Sequence, residues 1–318
     1  MESDKQENNN NNNNNAVGSD TANLPEECVA IMVSLTSPRD ACRLSAVSST
    51  FRSAAESDVV WARFLPSDYI SLLSRAVHPV RYASKRELFF LLSGRHILID
   101  RGKMSFGLEK SSGARCYMLS ARTLSIVWGD TPQYWRWISL PDSRFSEVAE
   151  LINVHWLEIR GKIQSKLLSG KTKYAAYLVY KINGHGSRSF SFQPQETAVI
   201  VGDHISNHTV SLANKDETCR NTIMFRNFLR WRGVLTLPYI EDEDNDVFDD
   251  ADDADDDETV DIAGSSHLRI DGWMEVELGE FYNNEGENSE VEMSFMEVKG
   301  RHWKRGLLVQ GIEIRPKF

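Results

Sequence analysis

The sequence predicts an α+β protein: a small all-helical module followed by an antiparallel β-sandwich of jelly-roll-like type. Three observations carry this expectation. Apolar residues recur at helical spacing from Leu24 to about Leu65, and again in a connector that stops at Gly94. Beyond Gly94 the period falls to about two, in short runs rich in β-branched and aromatic residues and separated by Gly, Asn, Asp or Pro. Only one further helix-like stretch follows, a VAELI turn at 148–152.

Taken in order, residues 1–23 hold the unbroken run Asn8–Asn15 and almost nothing apolar, so this Asn-rich tail is expected to be disordered. Pro25 suits the first turn of a helix, Glu26 and Glu27 complement its dipole, and Cys28, Ile31 and Leu35 recur at helical spacing. Ser37-Pro38 and Asp40 open a second helix whose stripe is Ala41, Leu44, Val47 and Phe51. A third begins at Ser57-Asp58 and carries Val60, Trp61 and Phe64. Ser84 with Glu87 forms a capping box before LFFLL, and Gly94 supplies the stop. The predicted divisions are therefore a helical module at 24–65, a helical connector at 66–94 and a β domain at 95–318. A module of about 40 residues is marginal alone, which makes it a candidate for packing on a partner. The strand candidates are HILID, ARCYML, LSIVW, VHWLEIRGKI, TKYAAYLVYKI, ETAVIVG, WMEVELG, VEMSFMEV and LLVQGIEIR. An acidic stretch at about 239–262 interrupts them and is expected to be a solvated, disordered loop.

Composition narrows the function. The net charge of −10 is misleading, because Glu241–Asp261 holds 14 acidic residues and no basic one. The remainder has 32 acidic against 36 basic residues. No apolar run approaches the ~20 residues of a membrane span, so no membrane partner is expected. The N-terminal residues lack the pattern of a secretory signal, which points to cytoplasm and nucleus. Cys28, Cys42, Cys116 and Cys219 are widely spaced and read as free thiols.

The string LPEECVAIMVSLTSPRDACRLSAVSSTFRSAAESDVVWARFL resembles the F-box. The Leu-Pro start, the Pro38/Asp40 turn and the series Val47, Phe51, Trp61, Phe64 carry the likeness. The resemblance implies docking on a Skp-type adaptor, and through it a cullin scaffold, with Leu24, Pro25, Ile31, Leu35, Leu44, Val47 and Phe51 as candidate apolar contacts. Some of these must instead hold the module together, and the sequence does not separate the two roles. The β half is similar to the plant phloem-lectin, or Nictaba-like, family. The blocks ARTLSIVWGDTPQYWRWISL, EVAELINVHWLEIRGKI, KTKYAAYLVYKI and LRIDGWMEVELGEF, with VEMSFMEVKGRHWKRGLLVQGIEIRP, carry that match. F-box followed by phloem-lectin domain is itself a plant arrangement, and it implies a substrate-recognition subunit of a ubiquitin ligase rather than an enzyme.

Trp128, Tyr134, Trp135 and Trp137 lie within ten residues around the turn Gly129-Asp130-Thr131-Pro132. Sugars present apolar C–H faces beside hydroxyls, so flat rings with polar neighbours suit them. The resemblance implies that Trp128 and Trp135 are the glycan-contacting pair, with N-acetylglucosamine oligomers as the glycan class. The alternative for all four is the core, since Trp135 and Trp137 share one face of a strand. Trp156, Trp273 and Trp303 sit in alternating patterns and are expected in the core. Two rival functions stand beside this one: a β domain that binds a protein surface without glycan, and a cytosolic lectin with no ligase role.

Other signals carry less. Asp130, Glu147, Glu150 and Glu158 offer carboxylate pairs, but nothing marks one as a glycosidase centre. His204 and His208 lack the Glu and the helix of a metal motif, and Gly184-His185-Gly186 lacks a nucleotide-binding context. The acidic run lacks the spaced ligands and Gly turn of a calcium loop. Arg226, Arg230 and Arg232 lack a broader basic field, so no nucleic acid is expected. No cofactor and no metal are expected.

Overall fold

The computed structural model describes residues 24–183, 187–190, 193–212, 264–284, 288–300 and 302–318. The Asn-rich tail, Cys219, the Gly184–Gly186 turn, the Arg226–Arg232 segment and the acidic stretch lie outside these residues.

Among the described residues, six helices precede the strands: α1 (Glu26–Ser34), α2 (Pro38–Leu44), α3 (Ser49–Glu56), α4 (Asp58–Phe64), α5 (Tyr69–Ser74) and α6 (Lys85–Gly94). Serines begin four of them. Ser37, Ser48, Ser57 and Ser84 accept from the backbone N–H of Asp40, Phe51, Val59 and Glu87 at 3.1–3.3 Å. The single second helix expected through Ala41 and Phe51 is in fact two. Ser48 offers its hydroxyl to the chain, caps α3 and breaks the stripe, which leaves Val47 in a surface turn.

The longest of these helices has ten residues, too short to persist without tertiary packing. Val29, Ala30 and Val33 of α1 are buried, as are Ala54 and Ala55 of α3 and Val60 and Trp61 of α4. The Trp61 indole donates to the Ala55 carbonyl at 2.6 Å, and its ring meets Phe89 and Phe90 of α6 at 5.1 Å each.

The β domain is a two-sheet sandwich. One sheet runs β1 (Ile97–Ile99), β2 (Met104–Leu108), β3 (Arg115–Ser120), β15 (Leu307–Pro316), β8 (Thr172–Ile182), β13 (Met274–Asn283), β12 (His267–Leu268). The pair β5 (Trp135–Ile138) and β6 (Val148–Leu151) joins it at β15. The other runs β11 (Gly264–Ser265), β10 (His204–Ser211), β9 (Gln195–Val201), β14 (Glu290–Glu297), β7 (Leu157–Gln164), β4 (Ser125–Ile126). Pairing is antiparallel except for the short β10–β11 contact. Alternation sorts the faces. In β7, Leu157, Ile159 and Ile163 are buried while Glu158, Arg160 and Lys162 are not. The VAELI turn is corrected to strand β6. Four residues are too few to nucleate a helix, and β5 and β15 satisfy the backbone on both edges.

Helices and sandwich share one core. The turn between β2 and β3 sits on α4 and α6. There Gly113 has φ +75°, and an added Cβ would lie 3.0 Å from the Phe64 carbonyl oxygen. Arg75 grips Asp100 with two hydrogen bonds, and Arg115 pairs with Asp68 across the same junction.

Candidate functional site

Two surfaces stand out, one on each part of the chain. The first is the outer face of the helical module. Leu24, Pro25, Ile31, Met32, Leu35 and Val47 are exposed, Leu35 at 71% and Val47 at 66%, while Leu44 and Phe51 are partly buried against the core. The burial pattern thus divides roles that the sequence left merged. Val29, Val33, Val60 and Trp61 build the module, and the aliphatic side chains of α1 and of the turn before α3 are left facing water. Such a cluster costs solvation in the free chain and is suited to a partner's groove.

The second surface is built around Trp128. This residue has φ +58°, a left-handed conformation that a bulky side chain adopts only at a cost, and it is 46% exposed. The surrounding turn explains how it is held. The Ile126 carbonyl accepts from Gly129 N, the Trp128 carbonyl from Thr131 N, and the Thr131 carbonyl from Tyr134 N and Trp135 N. From β5, Trp135 donates its indole N–H to the Val127 carbonyl at 3.2 Å, and Trp137 donates to the Gly129 carbonyl at 3.0 Å. The residues on either side of Trp128 are therefore clamped from below, and its ring is presented outward with the Tyr134 ring 5.3 Å away.

The four sequence-predicted aromatics are brought together, but not as equals. Trp135 is 2% exposed and lies in the core, so it cannot offer a ring face to a ligand. Trp137 is half-buried under the Arg122 guanidinium, 3.8 Å above its ring, and Arg122 is itself held by Glu147. Trp128 remains as the exposed ring, with the half-buried Tyr134 beside it.

Trp156 and Trp303, expected in the core, are exposed instead, whereas Trp273 is buried as expected. Their position extends the same end of the sandwich. Val127 N bonds to the Glu158 carbonyl and Ile152 N to the Tyr134 carbonyl, so the 152–158 segment runs beside the Trp128 turn. Trp156 donates to the Glu158 carboxylate at 2.9 Å, and Arg160 grips that carboxylate from the other side. These two donors hold the Glu158 carboxyl below its ordinary range. The Trp303 ring packs on His155 at 3.7 Å. Beneath them Lys304 is fully buried, paired with Glu297 and donating to the His155 carbonyl. Burial pushes its ammonium down to about 8. The signal for Trp156 was present in the sequence: it shares parity with Glu158, Arg160 and Lys162, the outward residues of β7. Trp303 precedes β15 outside any strand, and no periodicity marks it.

Among the described residues no group of three His, Cys, Asp or Glu is placed to hold a metal, and no helix is long and apolar enough to cross a membrane. His204 and His208 lie on β10, where His208 meets the Ser206 hydroxyl at 3.2 Å.

Comparison with known families matches residues 114–316 to phloem protein 2 and residues 21–67 to the F-box-like family. Similar proteins from Arabidopsis thaliana include F-box protein PP2-B1, 40% identical over 92% of this chain and 89% of its own length. Putative F-box protein PP2-B8 is 43% identical over 92% and 87%, and F-box protein PP2-B10 is 41% identical over 92% and 93%.

Proposed function

The chain belongs to the phloem protein 2 family of F-box proteins, and from that premise we propose that it is the substrate-recognition subunit of a Skp–cullin–F-box ubiquitin ligase whose β domain binds glycan-bearing targets. It acts in cytoplasm and nucleus. The mechanism is proximity. The helical face fixes the chain to a Skp-type adaptor and cullin, the β domain holds the target, and the chain supplies effective concentration rather than bond chemistry.

The observation that carries the ligase half is the division of the helical module into a buried set and an exposed aliphatic set. Docking removes Ile31, Leu35, Val47 and Leu24 from water, with Pro25 at the rim and Leu44 and Phe51 shaping the base. The glycan half rests on Trp128, a large ring held outward in a left-handed backbone by Trp135 and Trp137. Trp128 and Tyr134 stack on the C–H faces of N-acetylglucosamine units. Trp135 and Trp137 act as positioning residues.

The test is paired. Ile31→Ala/Leu35→Ala is expected to lose co-purification of adaptor and cullin while N-acetylglucosamine oligomers still bind. Trp128→Ala is expected to do the reverse. Retention of cullin by the first variant removes the ligase reading, and absence of oligomer binding by the unaltered chain removes the lectin reading. Point variants are preferable to deleting 24–65, because the helices and the sandwich share their core.

A further inference from the structure

Between the connector and the sandwich lies a cleft of ≈ 1200 Å³, which shares no lining residue with either surface described above. One wall is the 78–81 segment with the end of α6 and the start of β1. The other is formed by the 141–144 and 268–271 loops with Glu275, Glu313 and Arg315 of the sheet.

The cleft's floor is an ion network. Glu313 is almost wholly buried and faces Arg269, Arg315 and Arg144, the last at 3.5 Å. Glu275 takes two hydrogen bonds from Arg315 and one from Arg269, Asp271 also pairs with Arg269, and Asp142 pairs with Lys181. Among the described residues, every carboxylate lining the cleft therefore already has a cation. The reverse does not hold. Arg81 and Arg95 are exposed at the rim, and neither guanidinium makes an ion pair or hydrogen bond among the described residues. The uncommitted charge in the cleft is thus positive. Beside it, Leu268 and Ile270 stand in solvent, Ile270 at 109%.

We propose that this cleft is a peptide-binding site, and that its ligand is an extended segment of a partner protein in which carboxylate side chains alternate with aliphatic ones. Carboxylates meet Arg81 and Arg95 in bidentate geometry, and aliphatic side chains cover Leu268 and Ile270. Size favours a peptide, since the cleft exceeds the usual ~300–1000 Å³ of a small-molecule pocket. A polynucleotide is disfavoured by the carboxylates of the floor, which phosphate would have to approach. The site is independent of the glycan surface and gives the β domain a second, sugar-free way to recognise a target.

The experiment uses the full chain and labelled peptides of about twelve residues, read by fluorescence anisotropy. One probe is built from Glu and Leu, and the other has Gln for every Glu. The Glu probe is expected to bind at least about tenfold more tightly than the Gln probe, and more weakly as salt is raised. Arg81→Ala/Arg95→Ala is expected to abolish that preference with an unchanged unfolding midpoint, because neither side chain has a partner among the described residues to lose. Binding of N-acetylglucosamine oligomers through Trp128 serves as the control, so failure here and failure of the lectin reading are distinguishable. Equal binding of the two probes, or an unaffected double variant, overturns the proposal. So does binding that occurs only in a chain lacking residues 241–261, which would make this chain's own acidic segment the occupant.

Discussion

The helical module and the sandwich expose apolar groups in different ways. On the module the exposed groups are aliphatic, they lie on α1, at its two ends and in the turn before α3, none of them in a left-handed backbone, and no polar partner orients them. At the sandwich end they are rings, each tied to a neighbour: Trp128 clamped between two bonded carbonyls, Trp156 bonded to Glu158, Trp303 packed on His155. The first arrangement suits a dry interface that buries whole side chains. The second suits a wet, shallow one, in which rings must stand in fixed orientations beside hydrogen-bonding groups. Backbone strain is the discriminating feature, since only the ring site holds its exposed residue in a left-handed conformation.

The strongest way to break this comparison is to ask whether the two regions fold as one. Trp61→Ala removes the ring that joins α4 to α6, and Trp135→Ala removes the ring beneath the Trp128 turn. Each is expected to cost about 3–5 kcal/mol of stability. Because the core runs from Val29 to Ile314, both should shift a single unfolding transition. Two transitions in denaturant, each moved by only one variant, would divide the molecule in two.

Next in size is the docking face. Ile31→Ala/Leu35→Ala is expected to weaken adaptor binding by about 2–4 kcal/mol, roughly 30- to 700-fold, and to change stability by no more than about 0.5 kcal/mol. Calorimetry against the purified adaptor, with unfolding of the free chain beside it, measures both. A large stability loss would show these residues to be structural and would erase the contrast with Val33.

Much of this was legible in the sequence because two periodicities change at one place, Gly94. The caps at Ser37, Ser57 and Ser84 and the strands carrying Leu157, Tyr174 and Val309 follow from local pattern alone. The misread elements share a cause: their state is decided by residues far away. Val148–Leu151 is a strand because β15 arrives some 160 residues later to pair with it. Trp135 and Trp128 look alike in the sequence, and only the turn's left-handed backbone sends one outward and the other inward. The peptide cleft was not visible at all, since its walls come from segments near residues 80, 96, 143, 270 and 313.

A pH series sharpens the comparison within the sandwich, at the cleft. Burial, together with the neighbouring Arg144, pushes His96 down to about 4, while in the unfolded chain it titrates near 6.5. Between these values the unfolded state holds the extra proton, so stability falls as pH falls, with a limiting slope of about 1.4 kcal/mol per unit. Glu313 works in a lower window. Burial alone would raise its carboxyl, but Arg269 and Arg144 outweigh burial and hold it at about 2. Its contribution is present above about 4.5 and is lost as pH falls toward 2. His96→Gln is expected to flatten the unfolding free energy between pH 6.5 and 4 and to leave the lower window in place. A variant with the same slope as the unaltered chain would refute the assignment.

The smallest expected effect is the most diagnostic. At Trp128 the backbone favours glycine, so Trp128→Gly should be about 1 kcal/mol more stable than Trp128→Ala, and neither should suffer the loss expected at Trp135. Both should lose glycan affinity equally, by about 1–2 kcal/mol, because both lose the ring. The two readouts therefore separate the ring's task from the backbone's. If glycine and alanine prove equally stable, the left-handed turn is not a source of strain, and the reason for reading Trp128 as a held-out ligand contact disappears. If both variants instead keep glycan binding while Trp156→Ala loses it, the ligand platform lies along the 152–158 segment, and the Trp128 turn only supports it.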